Sequence, residues 1–66
     1  MRYKIEFLTE STDETSVCHF AYANAVTLSG AEQEAHSAVS GIAGHIDGYQ
    51  IRNSAGAIVS LHHLYP

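Results

Sequence analysis

Cys18 is the only cysteine in this 66-residue chain. That rules out an internal disulfide and a cysteine-rich zinc site, two of the usual supports of small domains. A chain of this length buries only roughly 60% of its unfolded surface. What remains is an economical apolar core supplemented by contact with another chain. The length also fits one domain spanning residues 1–66 and no more.

Strand periodicity is clearest over Arg2–Leu8, where Tyr3, Ile5 and Phe7 alternate with Arg2, Lys4 and Glu6. An all-polar stretch, Thr9–Ser16, follows as a loop, and its acids Glu10, Asp13 and Glu14 are expected at a hairpin tip. A second strand is predicted from Val17 to about Leu28. Phe20, Tyr22, Val26 and Leu28 lie on its bulky face, with alanines and His19 on a nearly flat one.

Ser29-Gly-Ala-Glu32 matches a capping box, with Glu32 and Glu34 in the first turn. Ala31, Ala35, Ala38, Val39 and Ile42 then form a helical stripe, and Gly44 suits the residue that ends a helix. A helix over about Gly30–Ala43 follows. Asp47-Gly48 signals a turn, and Tyr49–Arg52 restores the two-residue period. Asn53–Gly56 is a hairpin turn leading to a last strand through Tyr65.

The predicted fold class is α+β, in the order β-β-α-β-β: a four-stranded antiparallel sheet with one helix packed on one face. Tyr3, Ile5, Phe7, Phe20, Tyr22, Ile51 and Ile58 are assigned to the helix side. Leu8, Val59, Leu61 and Tyr65 are left for the opposite side, with His63 beside them. Uncovered apolar surface of this kind marks interaction sites. The candidate interaction residues are therefore Leu8, Val59, Leu61, His63 and Tyr65, with Glu10, Asp13 and Glu14 as an acidic contact for a basic groove.

Charge narrows the partners. The formal net charge is −4, with Arg2, Lys4 and Arg52 the only Lys or Arg, so no basic footprint exists for direct nucleic-acid binding. There is no apolar run long enough for a membrane span, and Lys4 and Glu6 interrupt any leader-like start. A reducing cytoplasm is the expected compartment.

Five histidines, His19, His36, His45, His62 and His63, lack the spacings of metal sites, so neither a metal nor another cofactor is expected. Cys18 and His19 face opposite ways on a strand, and Cys18 is expected as a small buried thiol. No catalytic residue is assigned. The competing function is a small oligomeric enzyme or ligand-binding subunit with a histidine-containing pocket between protomers.

The strand Arg2–Leu8, the capped Ser29–Gly44 helix and the Tyr49–Tyr65 hairpin together resemble small acidic proteins of phages and mobile elements. In size and style the chain is similar to anti-CRISPR inhibitors. That resemblance implies a non-enzymatic inhibitor or adaptor that occupies a surface of a larger nucleoprotein complex such as a CRISPR effector, with self-association into a homodimer or other oligomer.

Overall fold

The computed structural model describes residues 2–10, 15–42 and 46–64. Its elements follow the predicted order: β1 (Lys4–Glu10), β2 (Thr15–Tyr22), α1 (Leu28–Val39), β3 (Gly48–Arg52) and β4 (Ile58–His63). All strand pairs are antiparallel, in the order β2-β1-β3-β4. β1 and β3 are thus central, and β4, apolar on both faces in sequence, lies at an edge.

The alternation in β1 fixes one face of the sheet. Ile5 and Phe7 are paired with Ile51 and Tyr49 of β3, and all four are buried with Ala31 and Ala35 of α1. Alanine at both helix positions lets the helix axis come close enough for Phe7 and Ile51 to be fully enclosed. Ile46 and Ala23 close the core, and Leu28, Val39, Ile42 and Leu64 pack at its margin. Ala38, expected on this stripe, is exposed.

The helix starts two residues before the expected position. Thr27, in extended conformation, is the N-cap, and its hydroxyl oxygen accepts from the Gly30 N–H at 3.1 Å. Ser29 is thereby inside the helix, and neither Glu32 nor Glu34 is in its first turn. The later glutamate is spent on the approach to the helix: the Glu34 carboxylate accepts from the N–H groups of Asn24 (2.9 Å) and Ala25 (2.6 Å). A Cβ at Gly30 would come within 2.6 Å of the Ala25 Cβ, so glycine there makes room for that approach. At the other end Ser40 is the C-cap, earlier than predicted. Ala43 and Gly44 lie outside the described residues.

The second strand is shorter than expected, ending at Tyr22, and Val26 is solvent-exposed in the connection to the helix. The β3–β4 hairpin closes as predicted through Asn53–Gly56. Asn53 Oδ1 accepts from Ala55 and Ala57 N–H, and Gly56 has φ +87°. Glycine adopts that left-handed geometry without steric cost, as three-residue hairpin loops require.

Candidate interaction surface

The face of the sheet away from α1 is built in three stripes. The central stripe is polar. Glu6, only 8% exposed, accepts through Oε1 from Gln50 Nε2 at 2.6 Å and Arg52 Nε at 2.7 Å, while Lys4 Nζ lies 3.6 Å from its other oxygen. Burial pushes the Glu6 carboxyl up. The bonds from Gln50 and Arg52 and the charges of Arg52 and Lys4 outweigh it, so the group titrates below its usual value.

The two outer stripes are apolar. Register puts Val17, Phe20 and Tyr22 of β2 opposite Leu8, Glu6 and Lys4, hence on this open face. Phe20 and Tyr22 meet edge-on at 6.2 Å and remain 53% and 52% exposed. Lys4 lies over the Phe20 ring at 4.7 Å and Arg2 over Tyr22 at 5.4 Å. On the other flank Ile58 pairs with Arg52 and Leu61 with Gln50, with Val59 the extra residue of a bulge between them. Alternation from Ser60, which reaches the helix, directs Val59 to the open face as well. All three are exposed, Leu61 at 53%.

Several assignments are corrected here. Phe20, Tyr22 and Ile58 belong to the open face and not to the helix side. It is the alanine face of β2 that turns to the helix side: Ile5 pairs with Ala21 and Phe7 with His19, whose rings lie 6.0 Å apart, and although both β2 residues stay exposed, Ala23 just beyond the strand is in the core. Small side chains on an edge strand suit a short helix centred over β1 and β3. Leu8 has the opposite fate. It is on the open face by register but only 6% exposed, because a central strand is flanked on both sides. Cys18, expected to be buried, is exposed as the unpaired residue of a bulge in β2, its thiol 3.5 Å from the Phe7 carbonyl oxygen.

Of the remaining candidates, His63 pairs with Gly48 and shares the open face, and Glu10 ends β1. Asp13, Glu14 and Tyr65 lie outside the described residues. The structure therefore brings Val59, Leu61 and His63 together, and adds Phe20, Tyr22, Val17 and Ile58. The signal that points to the aromatic pair is the set Arg2, Lys4 and Arg52: alternation places all three cations on one face, where aromatic rings are their natural cover.

The helix side also holds a polar cluster. Glu32 Oε2 accepts from Ser60 Oγ at 3.1 Å and contacts His62 Nε2 at 2.8 Å, while the His62 ring stacks on Tyr49 at 5.0 Å. The bond with His62, and then that from Ser60, lower the Glu32 carboxyl. Serine and histidine both engage the carboxylate, not each other, so the trio clasps α1 to β4 without forming a nucleophile and base. Among the described residues no group of three or more His, Cys, Asp or Glu side chains is placed to hold a metal ion. A shallow hollow beside the helix is lined by Ala25, Gly30, Gln33, Glu34, Ser37 and Ala38, and its only ionisable group, Glu34, is engaged by the backbone. No helix among the described residues is long and apolar enough to cross a membrane.

Comparison with known proteins adds no relative: no family model, curated protein or solved structure matches the chain.

The Glu6 network sets an acid limit on stability. A carboxyl lowered in the folded state stabilises above its unfolded value, here 4.5, and loses that contribution as pH falls through the folded value. Melting temperature is expected to drop below about pH 4.5, and Glu6→Gln should flatten that drop while lowering stability at pH 7. An unchanged slope in Glu6→Gln would show that the acid limit comes from other carboxyls.

Proposed function

We propose that this chain is a non-enzymatic protein-interaction module, an inhibitor or adaptor of the cytoplasm, whose binding surface is the open face of its sheet. The reading rests on one observation: Val17, Phe20, Tyr22, Ile58, Val59 and Leu61 are all substantially exposed on one side of a small sheet. Half-exposed side chains of this size present roughly 75–125 Å² each for the aromatics. Only the two stripes together, on either side of the Glu6 network, reach the middle of the range of the largest apolar patch on an ordinary monomer, about 300–600 Å². Tyrosine and arginine, both present here, are the residues that dominate binding energy at such surfaces. Occupation of a surface on a larger nucleoprotein complex is consistent with the chain's small size and acidity.

The test is affinity capture from native cells, read by mass spectrometry and stoichiometry. A protein partner at fixed ratio, lost in Leu61→Asp and retained in the helix variant Gln33→Asp, is expected. Recovery of the chain with a small molecule and no protein partner would overturn the module in favour of a ligand-binding subunit.

A further inference from the structure

We infer that the occupant of the open face is a second copy of this chain, stacked sheet on sheet about a two-fold axis that runs across the strands. The inference rests on the open face being a protein-binding surface and names a second copy as the protein bound there, so that any larger complex meets the dimer through its remaining surfaces.

The stripes are the first reason. Apolar, polar, apolar is a pattern that a two-fold operation returns to itself, so apolar rows meet apolar rows and the Glu6 network meets its own copy. Area is the second. Six half-exposed apolar side chains offer roughly 500 Å², and Arg2, Lys4, Gln50 and Arg52 around them extend the face towards the roughly 800 Å² per partner of a stable interface. The third is the state of the edges. β2 and β4, the two strands able to extend the sheet, each carry a bulge, at Cys18 and Val59, and bulged edges resist pairing with another strand. Stacking faces thus wins over continuing the sheet.

Charge selects the axis. Arg2, Lys4 and Arg52 gather at one end of the open face, where Lys4 pairs with both Tyr22 and Arg52. The far end of the face, where Leu8 pairs with Val17 and Gly48, carries none of the chain's three Lys and Arg residues. An axis along the strands sets the cationic end of one protomer on that of its partner. An axis across them sets it on the partner's cation-free end, with β2 over β2 and β4 over β4, and that arrangement avoids the repulsion.

Sedimentation equilibrium of the untagged protein decides. Wild type is expected at twice the chain mass at tens of micromolar, and Leu61→Asp and Phe20→Asp are each expected to weaken the dimer at least 100-fold. Neither Arg2→Glu nor raised salt should strengthen it, because the cationic ends do not meet. A strictly monomeric wild type overturns the inference; if native capture is still lost in Leu61→Asp, the open face stands with a different partner. A dimer unchanged in both Asp variants overturns the face for self-association, and one strengthened by Arg2→Glu or by salt overturns the axis. If either Asp variant lacks a folded circular-dichroism spectrum, NMR of wild type on dilution reads the same surface. Shifts at Phe20, Tyr22, Ile58 and Leu61 support the inference, and shifts confined to α1 overturn it.

Discussion

Phe7→Ala is expected to remove between about a third and all of this domain's stability. Phe7 is 1% exposed at the centre of β1, with the Tyr49 ring 6.4 Å and the His19 ring 6.0 Å away. Truncating a buried phenylalanine costs about 3–5 kcal/mol, part lost transfer energy and part cavity. A 66-residue chain at the ordinary 0.05–0.15 kcal/mol per residue has only about 3–10 kcal/mol in all. Neighbours cannot collapse into the gap, since β1 is held by β2 and β3 and the facing helix positions are alanines. Thermal denaturation followed by circular dichroism should show a melting temperature lower by roughly 12–40 °C, or no transition. Phe20→Ala, measured where the protein is monomeric, should cost far less because that ring is half exposed. Equal losses from the two would contradict the placement of both rings.

These two phenylalanines mark where sequence reasoning stops. Elements declared by local chemistry were legible: the alternation of Tyr3, Ile5 and Phe7, the helical alanines Ala31 and Ala35, and the Asn53–Gly56 turn each specify structure within a few residues. The facing of β2 was not, because its phase is set against β1. Aromatic bulk at Phe20 and Tyr22 suggests burial, yet the pairing of Ile5 with Ala21 turns the alanine face to the helix side and the rings to the open one. Bulges compound this. Cys18 and Val59 each insert one residue, and a single insertion moves every later side chain to the other face. Ile58 changed sides for this reason, while Leu61 and His63 kept theirs. The helix start illustrates a different limit: Thr27 and Ser29 are both good caps, and the choice rests on the long-range bonds that Glu32 and Glu34 make once Thr27 is used.

The candidate surface was legible to the same extent. Coverage arithmetic, one helix for a four-stranded sheet, correctly required an open side, and Val59, Leu61 and His63 are on it. It did not identify Leu8 as covered, because burial in a central strand comes from neighbours on either side and not from the layer above. Nor could it find the aromatic stripe. Rings half covered by Lys4 and Arg2 are a tertiary feature whose only trace in sequence is the gathering of the cations on alternate positions.

Gly48→Ala is expected to produce the second large loss, although Gly48 has the sequence context of a turn residue. Gly48 is the first residue of β3, paired with His63, and its φ is not in the left-handed region, so backbone freedom is not what requires glycine. Space is. A Cβ there would lie well inside contact distance of the His62 carbonyl oxygen and 3.4 Å from the His63 Cα. Both obstacles are backbone, held by the ladder and by the Leu64 N–H bond to the Asp47 carbonyl at 2.9 Å, so no side chain can rotate away. The strands must separate at this end. That movement pulls His62 from Glu32 and from its stack on Tyr49, and tilts Leu61 on the open face. Overpacking of this kind costs about 1–3 kcal/mol, and the rigidity of the obstacle puts Gly48→Ala in the upper half of that range. At about 4–8 °C per kcal/mol, the melting temperature should fall by roughly 8–24 °C. Amide exchange in the β3–β4 hairpin should accelerate more than in β1–β2. A variant that melts with wild type and exchanges uniformly would show that β4 is not held against Gly48 as described.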